Sequence, residues 1–191
     1  MIPIILASTS PRRAELLKQI GIEFTAYASN LDEEQIISDT PAKMVMDLAL
    51  AKAQKVASSV KNGLIIGSDT IVVTENQILG KPAGSKDAKA MLTKLSGKIH
   101  SVFTGLALIK QPGNKIMVDF EETEVKFRRL TPSEIEAYVA AGEPLDKAGA
   151  YGIQGKGAVL VEGINGCYFN VVGLPIAKLV TMLKEFGISV F

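Results

Sequence analysis

The sequence predicts a mixed α/β fold, one mixed β-sheet with helices packed around it. Three observations lead there. Helical and strand patterns alternate along the 191 residues, with no internal repeat, low-complexity tract or Pro-, Gly- or Ser-rich linker. Two long strand-like runs, 101–110 and 115–127, are joined by the turn Gln111-Pro112-Gly113-Asn114 and read as antiparallel neighbours set among helices. With 47% hydrophobic and 21% charged residues, the chain can bury a core as one globular domain over 1–191, or as two closely packed lobes. The order is too irregular for a doubly wound sheet.

The elements follow in turn. Residues 4–7 form a short apolar run that suits a buried strand. Ser10-Pro11 opens a helix as N-cap and first helical residue; Leu16, Leu17 and Ile20 give its apolar face and Gly21 ends it. A strand is expected over 22–29 and a polar loop over 30–40. Thr40-Pro41 repeats the cap-and-proline signal and starts a helix to about Val60. Residues 64–74 read as an apolar, β-branched strand whose pattern is broken in the middle by Gly67-Ser68-Asp69-Thr70. Ser85 caps a helix to Leu95, stopped by Gly97. After the strand pair, Thr131-Pro132-Ser133-Glu134 is a capping box for a helix ending at Gly142. A Gly-rich stretch over 143–157, a strand near 158–162 and a helix over 175–186 complete the chain.

Charge and cysteine content exclude whole classes of function. Lys and Arg number 21 against 20 Asp and Glu, a net of +1, without the basic excess of a nucleic-acid binder. Cys167 is the only cysteine, so no internal disulfide or Cys-rich zinc site forms, and a buried, inert thiol is expected. No stretch approaches the roughly 18 apolar residues of a membrane span, and the amino terminus lacks the parts of a signal peptide. These features predict a soluble, cytoplasmic protein.

Several residues sit where a purely structural role is costly. Arg12 and Arg13 occupy a first helical turn, where free N–H groups already create positive potential. Either an anion sits among them, with Ser8 and Ser10 as further donors, or both are solvated on an exposed turn. Lys52 interrupts the apolar stripe Val45, Leu48, Ala49, Ala53, Val56, Val60, and so either snorkels to water or aims inward at an anion. Asp69 lies between the apolar triplets Leu64-Ile65-Ile66 and Ile71-Val72-Val73, which demands an ion pair, hydrogen bonds or a metal. Gly67 beside it suggests a ligand's close approach or a kink. Lys81 sits in a turn, either presented rigidly or merely solvated. Glu33, in the run Asp32-Glu33-Glu34, is either part of a solvated face or, with Asp69, a hard oxygen ligand of the kind Mg²⁺ prefers. His100 is the only histidine and reads as structural; the P-loop pattern is absent. Carboxylates, cations and a helix N-terminus together are what metal-assisted attack on a polyphosphate requires.

The same segments resemble the Maf family of nucleotide pyrophosphatases over nearly the whole chain. The likeness is carried by Leu6-Ala7-Ser8-Thr9-Ser10-Pro11-Arg12-Arg13, Ile66-Gly67-Ser68-Asp69-Thr70, Gly80-Lys81-Pro82, Leu95-Ser96-Gly97-Lys98 with His100, and Thr104-Gly105-Leu106-Ala107-Leu108. The run from Asp146 through Gly155 and Val171-Val172-Gly173-Leu174-Pro175 complete it. The resemblance implies an elongated mixed sheet with helices, forming two lobes around a substrate cleft. It implies a house-cleaning hydrolase that cuts a nucleoside triphosphate between its α and β phosphates and requires Mg²⁺ or Mn²⁺. Carried over by position, Asp69 becomes the general base, Glu33 joins it at the metal, and Ser8, Arg12, Arg13, Lys52 and Lys81 hold the triphosphate. Three positions divide the family by substrate: the branch preferring dTTP and UTP carries Arg, Thr and Gln, that acting on 7-methyl-GTP Trp, Gln and Glu. Here they are Arg12, Thr70 and Gln154, matching the pyrimidine branch, with the Gln154 amide expected to read the base.

A pyrophosphatase aimed at another base, and a non-catalytic nucleotide-binding regulator of septum formation, are the competing readings. A homodimer is the expected assembly, and neither nucleic acid nor membrane is an expected partner.

Overall fold

The structure is a computed structural model describing residues 2–33, 36–113 and 115–191. Met1 of the amino terminus, Glu34 and Gln35 of the acidic run and polar loop, and Asn114 of the expected turn lie outside the described residues. The elements run β1 (Ile4–Leu6), α1 (Pro11–Gln19), β2 (Thr25–Ala26), α2 (Pro41–Ala57), β3 (Gly63–Thr74), β4 (Gln77–Leu79) and α3 (Ser85–Leu95). They continue through β5 (Ile99–Gln111), β6 (Lys115–Phe127), α4 (Pro132–Ala140), three short 3₁₀ turns, β7 (Val161–Asn165), α5 (Tyr168–Val172) and α6 (Ile176–Lys184). Among the described residues the sheet has seven strands, ordered β2-β1-β3-β5-β6-β7, with β4 beside β3. It is mixed: β1 pairs in parallel with β2 and β3, while β3–β4 and β6–β7 are antiparallel.

Residue contacts divide the chain into two compact units. The first comprises Met1–Asp69, Thr104–Glu121 and Gly173–Phe191; the second comprises Thr70–Phe103 and Glu122–Val172. The first unit's core joins Ile5, Ala7 and Ile65 of the sheet end to Ala49, Ala53 and Val56 of α2. The second is built on Phe127 and Val125 of β6, Leu92 and Leu95 of α3, and Ile135 and Val139 of α4.

Several expected boundaries shift, each for a local reason. The strand over 22–29 reduces to two residues, because β2 is an edge strand whose one partner, β1, is three residues long. The strand expected over 64–74 forms as β3, whose twelve residues run straight through the change of pattern at 67–70, with Gly67, Ser68 and Asp69 all buried. α2 stops at Ala57 rather than Val60, where the Ser58 and Ser59 hydroxyls turn back onto the carbonyls of Lys55 and Val56. Ser85 is the first residue of α3 and Gly84 its cap; the Asp87 carboxylate accepts instead from the Ala83 N–H at 3.0 Å. Residues 155–160 coil into a 3₁₀ turn, which delays β7 to Val161. β4 and α5, three and five residues long, had no sequence signal above their surroundings.

Candidate active site

In the first unit the site is organised by the packing of α2 onto the sheet. Thr40 caps α2 by accepting from the Lys43 N–H, and Pro41 sits at its start. The helix buries Val45, Leu48, Ala49, Ala53 and Val56, and small residues on both sides allow it to lie unusually close. A Cβ built on Gly67 of β3 would stand 2.2 Å from the Ala49 carbonyl oxygen, and one on Gly105 of β5 would stand 2.0 Å from that of Val45. Asp69 shares a strand face with Gly67, two residues on, and Lys52 follows Ala49 by one helical turn. The close approach therefore presses Lys52 against Asp69.

Their contact is short. Lys52 Nζ lies 2.5 Å from Asp69 Oδ1 and 2.8 Å from Glu33 Oε1. Lys52 and Asp69 are 8% and 7% exposed, so the lysine interrupting the apolar stripe aims inward and does not snorkel. Asp69 is ion-paired, and Glu33, whose side chain is half exposed, reaches the same ammonium from the loop before α2. That loop is held to the helix by Asp47, which accepts from Ser38 Oγ at 2.6 Å and Lys43 Nζ at 2.7 Å. Sequence reasoning missed this tether.

Ser8 and Arg13 form a second group in the same unit. Ser8 Oγ accepts from the Ser10 N–H at 3.1 Å and from Arg13 Nη1 at 3.2 Å, which leaves its own hydrogen available to a ligand. Ser10 occupies the cap position without a side-chain cap bond, and its own N–H is the one that Ser8 accepts from. Arg13 Nε donates to the Gly173 carbonyl at 2.8 Å, and buried Ser68 Oγ donates to that oxygen at 3.2 Å. Arg13 is thus not a solvated surface arginine. Burial holds its pKa below the ordinary value, against the opposing attraction of Asp69. Arg12, beside it in the first turn of α1, is half-buried. Gly173 escaped prediction as a contributor because a backbone carbonyl has no residue-type signal.

The remaining predicted residues lie in the second unit. Thr70, next to Asp69 on β3, is half-buried, and strand alternation turns it to the opposite face. Lys81 is exposed, and among the described residues its ammonium has no hydrogen-bond or ion-pair partner. Its loop is joined to the Gly-rich segment by a bond from the Gly149 N–H to the Gly80 carbonyl, 3.0 Å. Gln154 is half-buried at the head of the 155–160 turn, and its amide has no partner among the described residues.

Glu33 and Asp69 supply two sets of carboxylate oxygens at one ammonium, and no group of three Asp, Glu, His or Cys side chains suited to a metal occurs among the described residues. Two carboxylates suit Mg²⁺ or Mn²⁺ of the kind that keeps waters and takes substrate phosphate oxygens as its other ligands. His100 is buried, with Nε2 2.7 Å from Tyr151 Oη and its ring edge-on to Phe127 and Tyr151. Cys167 is half-buried, not buried as expected, because it sits in the turn leading into α5, where its N–H and carbonyl are both bonded to Thr123 Oγ1.

Among the described residues no helix is long and apolar enough to cross a membrane. Residues 3–186 match the family described as Maf-like protein. A dTTP/UTP pyrophosphatase of Moorella thermoacetica is 51% identical over 191 residues, covering 100% of this chain and 98% of that protein. One from Clostridium botulinum is 53% identical over 190 residues, covering 97% and 98%. A solved HAM1 protein from Coxiella burnetii aligns with 97% of this chain and 100% of its own at a TM-score of 0.55 and 14% identity, a likeness of fold alone. The matches span the segments that carry Ser8, Arg13, Glu33, Lys52 and Asp69, and the chain belongs to the family of Maf-like proteins.

Proposed function

We propose that this chain is a nucleoside triphosphate pyrophosphatase that hydrolyses dTTP and UTP to the nucleoside monophosphate and pyrophosphate. The observation that carries the chemistry is the buried Asp69 carboxylate held against Lys52, with Glu33 at the same ammonium. The substrate reading is supported by relatives about half identical over nearly their whole length that bear the name dTTP/UTP pyrophosphatase.

In this mechanism Asp69 accepts the proton of a water that attacks the α-phosphorus. The new oxygen–phosphorus bond forms as the α–β anhydride bond breaks, and the electron pair leaves with pyrophosphate. Lys52 holds Asp69 oriented beforehand, so the base needs no reorganisation when the water approaches. Ser8, Arg12, Arg13 and Lys81 bind the triphosphate through charge-assisted hydrogen bonds. Glu33 and Asp69 are the residues that would hold Mg²⁺ or Mn²⁺, which when bound supplies charge neutralisation and Lewis-acid polarisation at phosphate oxygens. Gln154 and Thr70 discriminate the base: a primary amide places a donor beside an acceptor, complementary to the N–H and C=O of uracil and thymine.

The test is pyrophosphate release from a panel of nucleoside triphosphates with Mg²⁺, with Mn²⁺ and with chelator. Metal-dependent turnover greatest on UTP or dTTP is expected. Turnover greatest on another base would discard the specificity while keeping the chemistry. Absence of turnover on all of them would discard both in favour of a non-catalytic nucleotide-binding role.

A further inference from the structure

The Gly-rich segment of the second unit is not a slack loop. Glu143, at the start of the first 3₁₀ turn, directs both carboxylate oxygens at backbone N–H groups: Oε1 accepts from Gly157 at 3.1 Å and Oε2 from Lys156 at 3.0 Å. Oε1 also accepts from Tyr138 Oη at 3.0 Å, and that hydroxyl in turn accepts from the Gly152 N–H at 3.2 Å. Two side chains thus hold three amides, at 152 on one side of Gln154 and at 156 and 157 on the other. The two feet of the loop are drawn together so closely that a Cβ on Gly157 would lie 2.2 Å from the Gly152 carbonyl oxygen and 2.6 Å from Tyr138 Oη. Lys147 Nζ donates to the Glu143 carbonyl at 2.5 Å, fixing the backbone from which the carboxylate projects.

The protonation states suit this arrangement. Burial pushes the Tyr138 phenol up, and the neighbouring Glu143 carboxylate adds to the effect, so Tyr138 remains a donor. Burial would raise the Glu143 carboxyl as well, but the N–H groups of Gly157 and Lys156 outweigh it and hold the group below the usual carboxylate range. A fixed anion therefore anchors a fixed loop, and the one side chain between the anchored amides with a free primary amide is Gln154.

We propose that Glu143 and Tyr138 are positioning residues for nucleobase selectivity: they clamp residues 152–157 so that the Gln154 amide is offered in one place. Neither touches the nucleotide. The proposal rests on the reading that Gln154 discriminates the base. Loss of the clamp leaves the amide present but spread over many positions, which weakens discrimination in binding more than it slows the chemical step.

The experiment compares Glu143→Gln, Tyr138→Phe and Gln154→Ala with the unaltered chain. Each is assayed for kcat and KM on UTP, dTTP, CTP and GTP, for hydrogen exchange over 152–157, and for thermal stability. Glu143→Gln is expected to speed exchange at 152–157 and to reduce the ratio of kcat/KM for UTP over GTP about tenfold, through KM more than kcat. Tyr138→Phe acts in the same direction and decides the matter if Glu143→Gln does not fold. Faster exchange with an unchanged ratio overturns the clamp as a selectivity device, and unchanged exchange overturns it as a clamp. If Gln154→Ala leaves the ratio unaltered, the base-reading role fails and the proposal falls with it. If that variant loses selectivity while both clamp variants keep it, the clamp proposal alone fails.

Discussion

The Lys52 ammonium stands 2.5 Å from Asp69 Oδ1 across a helix–strand contact that residue 67 permits only because it has no side chain. The pair is almost fully buried, yet one of its members keeps a second partner in Glu33. That asymmetry decides how the two substitutions behave.

Asp69→Asn leaves Lys52 its contact with Glu33, so folding survives while the proton acceptor is lost. The expected outcome is a kcat lower by roughly a hundredfold or more with little change in thermal midpoint. Steady-state pyrophosphate release alongside a melt checks it, and near-native turnover would remove Asp69 from the role of base.

Lys52→Met strands the buried Asp69 carboxylate without its cation. Breaking such a pair from one side costs about 3–5 kcal/mol. The double variant Lys52→Met/Asp69→Asn removes the stranded charge as well and is expected to recover part of that loss. Urea unfolding of the four members of this cycle measures the coupling. Additive losses would show that the pair is not coupled.

Gly67→Ala places a methyl 2.2 Å from the Ala49 carbonyl oxygen and 2.9 Å from Ala53 Cβ, so α2 must move away. Overpacking of this kind costs about 1–3 kcal/mol or more. Because displacement carries Lys52 off Asp69, turnover is expected to fall further than stability. A crystal structure of the variant with α2 unmoved would contradict this account.

His100 gives the fold a dependence on mild acid. Burial lowers its pKa from 6.5 to about 4, and among the described residues Nδ1 has no partner to welcome a second proton. The unfolded chain takes up that proton near pH 6.5 and the folded one only near pH 4. The stabilising contribution is therefore present above pH 6.5 and is lost as pH falls through that window, by up to about 3 kcal/mol. Urea unfolding at pH 7 and pH 4.5 should show a smaller decline in His100→Gln than in the unaltered chain. Equal declines would rule His100 out as the source.

Thr131→Ala removes the capping box, in which Thr131 Oγ1 accepts from the Glu134 N–H while Glu134 Oε2 accepts from the Thr131 N–H at 2.7 Å. A loss of about 1 kcal/mol is expected, seen as a fall of about 2–4 °C in Tm, with turnover unaltered.

What could be read from the sequence divides along physical lines. Lys52 and Asp69 were conspicuous because charge inside an apolar pattern is costly, and the structure places them in contact. The boundaries of β6 and the capping box at Thr131 were legible because turn and cap signals are local. The strand over 64–74 was legible too, but Gly67 had suggested a ligand's close approach or a kink, whereas it marks close approach of a helix to an unbroken strand. β2 came out short because its partner strand ends, a fact about β1 that residues 22–29 do not contain. Gly173, Asp47, Glu143 and Tyr138 were missed because they act by backbone carbonyls or by hydrogen bonds over a fold that the local pattern cannot specify. Lys81 and Gln154 were found through resemblance more than through cost, since lysine in a turn and glutamine in a loop are both ordinary.

The chain passes between its two compact units at 69/70, 103/104, 121/122 and 172/173, and the first three crossings fall inside β3, β5 and β6. One unit holds both chain ends. A single recombination crossover between two related genes therefore always splits that unit between parents, and no contiguous gene segment encodes it. Modules that cannot be inherited whole cannot be traded whole.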